Sequence, residues 1–376
     1  MNEQALIAFF QDLHRHPELG GQEVRTTERV RSALREAGIE TVDPGLGTGL
    51  IALVRGQKPG GRAIGLRADM DALPIQEESG LPYASLAPGR MHACGHDFHT
   101  ACMLGAALIL QSKRADWAGT VKIVFQPAEE ISQGGAQMAR LEWLKDCAEF
   151  YACHTYPGFP AGTLGIKPGP VMAAPDAFTL YFRGRGTHGG NPHLGVDPIP
   201  AAAAFVLSAQ TLISRSKDAF EPAVLSITHV QAGSTWNVVP QEALLEGTLR
   251  TLDPALRRDM QKRLPAMAEH IAQAHGCGAE FSWIIGPGPV INDEGLCREA
   301  AAVARELGFS VERQANTMGG EDFSEYLKRC PGAFIRVGTG GEYTNHHPRF
   351  TADPAALWPA AQYFAELALR RARADR

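Results

Sequence analysis

Met91-His92-Ala93-Cys94-Gly95-His96-Asp97-Phe98-His99-Thr100 gathers one thiol, three imidazoles and a carboxylate around a single glycine. Cys94 and His96 are two positions apart. On a helix that spacing turns the two side chains away from each other, whereas in a looped or extended backbone both can face one ion. The spacing therefore predicts a metal-type loop. The residues that follow, from Thr100 through Leu110, are apolar and alanine-rich, so the loop is expected to feed the N-terminus of a buried helix.

Around this loop, three strand-like runs end in the same kind of residue. Ala63-Ile64-Gly65-Leu66-Arg67-Ala68 leads into Asp69-Met70-Asp71, Thr120-Val121-Lys122-Ile123-Val124-Phe125 into Gln126-Pro127-Ala128-Glu129-Glu130, and Phe150-Tyr151-Ala152-Cys153 into His154. In open α/β sheets the ligand site lies beyond the carboxyl ends of the strands. One carboxylate at a strand end is unremarkable. Several strands each delivering a metal-type donor, beside the Cys94/His96 loop, predict convergence on one centre.

The length of 376 residues suggests about two domains, and 44% hydrophobic with 20% charged residues is the composition of a folded globular chain. Lys+Arg 36 against Asp+Glu 41 gives a net charge of -5, too mild to suggest nucleic acid or an anionic membrane as partner. A small-molecule substrate is expected instead. No apolar run is long enough to span a bilayer, and the first residues have no basic, apolar export pattern. Seven scattered cysteines suit reduced thiols, so a cytoplasmic location is expected.

Helical spacing predicts helices over residues 4–14 and 23–37, interrupted by His16-Pro17-Glu18-Leu19-Gly20-Gly21, with a strand over 49–56. Pro/Gly-rich stretches near 168–175 and 286–289 read as hinges. Between them the pattern runs strand (177–183), helix (198–214), strand (223–231), strand (242–252), helix (254–274), strand (279–285). That βαββαβ order is the ferredoxin-like arrangement. The expected architecture is a mixed-sheet α/β catalytic domain, residues 1–175 plus 288–376, with an inserted ferredoxin-like α+β lid or dimerisation domain over 176–287. Beyond the second hinge, a helix (295–308), a polar loop around Gly319-Gly320-Glu321-Asp322, a strand (333–338) and a final amphipathic helix (354–373) complete the pattern.

Cys94, His96, Glu130, His154 and a late histidine offer a mixed thiolate, imidazole and carboxylate set. Such donors suit zinc, manganese or another first-row ion better than calcium or magnesium. They are too many for one tetrahedral structural site, so two ions or one open catalytic site is expected. Glu129 and Glu130, adjacent on an extended backbone, would point apart and divide the work, one binding metal and one handling protons.

Motifs along almost the whole length carry a resemblance. They are His16-Pro17-Glu18-Leu19, Arg67-Ala68-Asp69-Met70-Asp71-Ala72-Leu73-Pro74, the Met91 to Thr100 stretch, Gln126-Pro127-Ala128-Glu129-Glu130, His154, Gly186-Thr187-His188, Asn237-Val238-Val239-Pro240, Gly247-Thr248-Leu249-Arg250 and Gly320-Glu321-Asp322-Phe323. The chain resembles the amidohydrolase branch of the carboxypeptidase G/aminoacylase metallopeptidase family, close to hippurate hydrolases and indole-acetyl-amino-acid hydrolases. The resemblance implies a zinc-peptidase-like fold and two divalent ions per subunit, such as zinc, manganese, nickel or cobalt. Cys94, His96, Glu130, His154 and His346 would be the ligands, with Cys94 as the bridge. It also implies Glu129 as general base, Asp71 as the residue orienting a ligand, and His188 as an oxyanion partner that in related dimers reaches the other subunit's site. Asn237 and Arg250 would hold the substrate, and the chain would form a homodimer or a higher oligomer. The family pattern selects His346 over His347, although Asn345 stands where it has a leucine.

The implied reaction is hydrolysis of N-acyl or N-aroyl amino acids, and indole-acetyl, benzoyl, acetyl and succinyl conjugates all suit the same centre. A cysteine hydrolase using Cys94 with His96 as base would leave the carboxylate pair idle. A binding module that kept the fold without turnover would have no need of Glu129.

Overall fold

The structure, a computed structural model, describes residues 2–373 and divides into two compact units. The first comprises residues up to Val171, Ile291–Ala315 and the stretch from Asp322 onward. Its helix α1 (Glu3–Arg15) starts where the Asn2 side chain accepts from Ala5 N at 3.0 Å, and it buries Leu6, Phe9, Phe10 and Leu13 along one stripe. Each such side chain contributes roughly 1.5–3 kcal/mol of burial. Helix α2 (Val24–Glu36) follows, and α3 (His96–Ser112), α4 (Glu294–Glu306) and α5 (Leu357–Arg373) complete the helical layers.

The sheet contains β1 (Glu40–Val42), β2 (Leu50–Arg55), β3 (Lys58–Asp69), β4 (Ala118–Gln126), β5 (Cys147–Tyr156), β6 (Thr163–Gly165), β7 (Ser310–Glu312) and β8 (Gly332–Gly338), in the spatial order β1-β2-β4-β3-β5-β8-β6-β7. β4, β3, β5 and β8 are mutually parallel neighbours, while β2 against β4 and β6 against β8 are antiparallel. The sheet is therefore mixed, as expected. The parallel centre is buried on both faces, which is why these strands read as continuous apolar runs. α3 is buried almost all round. A Cβ at Gly105 would sit 2.7 Å from Leu6 Cδ2 and 2.8 Å from Ala361 Cβ, so the glycine sets how closely α3 passes α1 and α5.

The second unit is Met172–Val290 with Asn316–Glu321. Strands Ala174–Arg183, Ala223–Ala232, Glu242–Thr251 and Gly278–Ile284 alternate with helices Pro198–Arg215 and Pro254–Ala274 in βαββαβ order. Both helices begin with an aspartate cap, Asp197 or Asp253, followed by proline at the first helical position. Pairing is antiparallel throughout and places Ala174–Arg183 between Glu242–Thr251 and Gly278–Ile284, with Ala223–Ala232 at the other edge. This is the ferredoxin-like topology the pattern predicts. The inward residues Phe178, Leu180, Phe182, Leu245 and Leu249 pack with Phe205 and Leu264 of the helices in a core of their own.

Three local expectations need correction. The loop expected over residues 91–100 ends at Gly95, because His96 is already the first residue of α3. His154 lies inside β5 and not beyond its end, since pairing with β8 continues to Tyr156. Glu129 and Glu130 are not on extended backbone. Ala128 adopts φ 56° and Ser132 φ 53°, and the turn between them brings carboxylate oxygens of both glutamates within 4.8 Å of His96.

Candidate metal centre

Gly95 joins the loop to α3 with φ 85°, and a Cβ there would come 2.5 Å from Thr155 Oγ1. Only glycine fits both demands. The loop is tied down from two sides: Thr155 Oγ1 donates to Cys94 O at 2.7 Å, and Asn345 Nδ2 donates to the same carbonyl at 3.1 Å. Cys94 Sγ then lies 3.4 Å from His154 Nε2.

The partner of one ring nitrogen decides what the other can do. His154 Nδ1 is 2.9 Å from the carbonyl of Thr155, which can only accept, so Nδ1 carries the proton and Nε2 keeps its lone pair toward Cys94. His96 Nδ1 faces Asp71 Oδ1 at 3.2 Å, leaving Nε2 as the donor atom. His99 is different. Its Nε2 accepts from Thr155 N at 2.7 Å and its Nδ1 lies 2.5 Å from Asp69 Oδ1, so no lone pair remains for an ion. Asp69 is equally occupied, because its other oxygen takes Arg67 Nη1 at 2.6 Å. His92 is buried with neither nitrogen hydrogen-bonded, and burial pulls its pKa down to about 4.

Two sets of donors overlap at the thiol. One atom each of Cys94, His96 and His154 lie within 4.8 Å of one another, and so do one atom each of Cys94, Glu130 and His346. His96 Nε2 and Glu130 Oε1 are buried without a hydrogen-bond partner, an expensive state for polar atoms unless a ligand completes them. Glu130 Oε1 is 3.8 Å from His96 Nε2 and 3.4 Å from His346 Nε2. His346 reaches this position with φ 68° while its backbone N donates to Ala93 O at 2.8 Å, whereas His347 stacks on Tyr343. Orphaned imidazole and carboxylate atoms around a thiol fit a first-row divalent cation.

Electrostatics agree with that fit. Burial pushes the Cys94 thiol well above its usual range, reinforced by Glu130, so without a cation the sulfur holds its proton. Burial also holds His154 well below the imidazole range, in the neutral form a metal requires. On His96, burial opposes the charge but the Asp69 carboxylate outweighs it, drawing positive charge to this spot.

Asp71 also holds the neighbouring turn. Its two oxygens accept from Glu129 N at 3.1 Å and Glu130 N at 2.9 Å. Behind it, the fully buried Arg67 spans Asp69, Asp322 and Gln126. Arg67 and Asp322 stood in quoted motifs without a role, while Glu23 and Thr155, which also fix the site's backbone, carried no local signal.

In the second unit, His188 lies on the two-residue strand Thr187–His188, which pairs with Val238–Val239, and Gly189 N donates to Asn237 O at 2.7 Å. His188 Nδ1 accepts from Gly190 N at 3.0 Å, so its exposed Nε2 carries the proton and can donate. Arg250 is half-buried on Glu242–Thr251, with Nε donating to Thr248 Oγ1 at 2.9 Å.

The profile of peptidase family M20/M25/M40 matches residues 65–370. The chain is 44% identical over 365 residues to an N-acetylcysteine deacetylase of Bacillus subtilis (strain 168), covering 97% of this chain and 96% of that one. It is 42% identical to an N-acyl-L-amino acid amidohydrolase of Geobacillus stearothermophilus over 94% of this chain and 95% of that one. Among solved structures, the Bacillus subtilis YXEP protein, a dinuclear metal binding peptidase from the M20 family, superposes with a TM-score of 0.89 at 42% identity, covering 98% of each chain. With a matching mixed-sheet fold, orphaned donor atoms on His96 and Glu130 and relatives alike over nearly their full length, this chain belongs to peptidase family M20/M25/M40, in its amidohydrolase branch.

Proposed function

We propose that this protein is a metal-dependent amidohydrolase that cleaves the amide bond of N-acyl or N-aroyl amino acids to a carboxylic acid and a free amino acid. The observation that carries the reading is the pair of buried, unpartnered donors, His96 Nε2 and Glu130 Oε1, facing Cys94 beside a second carboxylate, Glu129. Relatives named as N-acyl amino acid hydrolases at 42–44% identity support the substrate class.

Cys94, His96 and His154 would hold one divalent ion and Cys94, Glu130 and His346 a second, with zinc, manganese, nickel and cobalt all suited to the set. Such ions supply Lewis acidity, polarising the amide carbonyl and lowering the pKa of water toward ~7. Asp71 holds His96 in the tautomer that presents Nε2. Glu129 takes a proton from the attacking water and returns it to the leaving amine. His188 donates from Nε2 to the developing oxyanion, and Asn237 and Arg250 grip the substrate, Arg250 through its carboxylate. The second unit serves as lid and dimerisation domain, with His188 reaching the partner's site in a homodimer.

The reading places the enzyme in the cytoplasm, where its seven free thiols would stay reduced. A thiol held protonated by burial is a poor nucleophile, which weighs against Cys94 acting as the attacking group. The test is hydrolysis of a panel of N-acetyl, N-benzoyl and N-indole-acetyl amino acids by protein reconstituted with each of the four metals. Activity that chelation abolishes and metal restores is the expected result; undiminished turnover after chelation, or none with any metal, would end the proposal.

A further inference from the structure

We propose that Glu23 is a positioning residue for the catalytic turn, acting through the Ala128 amide to set where Glu129 and Glu130 point. The inference rests on the amidohydrolase reading above. Glu23 stands at the N-cap position of α2, but its side chain makes no bond to the amides of the helix. The amides of Arg25 and Thr26 are taken by Glu18, at 3.0 and 2.8 Å, which explains the glutamate of His16-Pro17-Glu18-Leu19. Glu23 is fully buried and its Oε1 instead accepts from Ala128 N, 105 residues along the chain, at 2.8 Å.

Together with the two bonds from Glu129 N and Glu130 N to Asp71, this places three consecutive amides on two buried carboxylates. The amide so held belongs to Ala128, whose φ of 56° is unfavourable for a residue with a side chain and persists only when its surroundings enforce it. That left-handed step turns the chain out of β4, so that both glutamates reach His96. Ala128 O closes the turn from the other side, accepting from Gln133 N and Gly134 N at 3.1 Å each. Asp71 can hold only residues 129 and 130; Glu23 holds the residue whose conformation decides their direction.

The test uses zinc-loaded protein carrying Glu23→Ala or Glu23→Gln, read by hydrogen exchange of the segment 126–134 and by steady-state kinetics. Glu23→Ala is expected to speed exchange at residues 128–130 about 10-fold with the helices unaffected. It should lower kcat roughly 10- to 100-fold with little change in KM, because a small misplacement of a reacting group costs rate more than binding. Glu23→Gln keeps an acceptor oxygen for Ala128 N and is expected to restore most of both. Should Glu23→Ala not fold, Glu23→Asp withdraws the acceptor by one methylene and carries the same two expectations. Unchanged exchange at 128–130 with wild-type kcat overturns the inference, as does a Gln variant as impaired as the Ala variant. If the protein turns over no N-acyl amino acid, the function proposal fails while the exchange measurement still decides the role of Glu23.

Discussion

Asp71 Oδ1 lies 3.2 Å from His96 Nδ1, and the same carboxylate accepts the backbone amides of Glu129 and Glu130. One side chain therefore sets both the tautomer of a donor histidine and the backbone under the two glutamates. Replacing it with asparagine leaves one acceptor oxygen and introduces an NH2 group that repels an amide donor. Asp71→Asn is expected to weaken metal affinity ~10- to 100-fold and to lower kcat as well. Metal-buffered titration beside kinetics checks this; unaltered metal affinity would remove Asp71 from the role given to it.

Glu129 should separate from Glu130 in its effects. Glu129→Gln is expected to lower kcat by roughly 10²- to 10⁴-fold with bound metal unchanged, the range for loss of a general base. Glu130→Gln is expected to lose metal as well as rate. Elemental analysis of the two purified variants distinguishes them, and equal metal loss in both would contradict the division of labour.

His14 is buried between Asp97, 2.6 Å away, and Glu77, 3.2 Å away. Burial works against its charge, but the two carboxylates outweigh it and raise its pKa from 6.5 to about 9. A folded-state value above the unfolded one means that the stabilisation is full below about pH 6.5 and is lost as pH rises through about 9. The shift corresponds to roughly 3 kcal/mol. The difference in unfolding free energy between wild type and His14→Gln should therefore shrink from pH 6 to pH 10, and a constant difference would show that His14 is not charged in the fold.

Asn345 Nδ2 donates to Cys94 O at 3.1 Å and lies 3.2 Å from Thr155 Oγ1, pinning the segment that carries His346 onto the thiol loop. Leucine has nearly the same shape and no donor. Asn345→Leu is expected to fold normally and to release metal to a competing chelator about 10-fold more readily. Equal retention by the two proteins would assign the pinning to the His346 N to Ala93 O bond alone.

Metal should stabilise the fold measurably. Because it binds the folded donor set, free metal at about 100 times its dissociation constant adds about 2.7 kcal/mol. Thermal unfolding in chelator and in excess metal tests this, and identical midpoints would mean that the donors hold no ion.

The sequence by itself determined the layers. The order of strand-like and helical segments between residues 177 and 285 leaves the second unit little choice but a ferredoxin-like sheet, in which residues 174–183 and 242–251 bury every second side chain. The apolar runs of β3, β4 and β5 likewise announce a parallel centre buried on both faces. Residue types also announced metal-type donors near the strand ends. What each donor can do was decided only by tertiary structure. His99 is excluded as a ligand because Thr155 N, 56 residues away, occupies the nitrogen an ion would need, while His154 is available because its other nitrogen meets a carbonyl. Glu129 and Glu130 converge because Glu23 and Asp71 grip their turn from distant segments. Periodic burial leaves its mark on local sequence because every second or fourth residue must be apolar. A hydrogen bond between two residues far apart in the chain leaves none, because either partner alone is an ordinary polar residue.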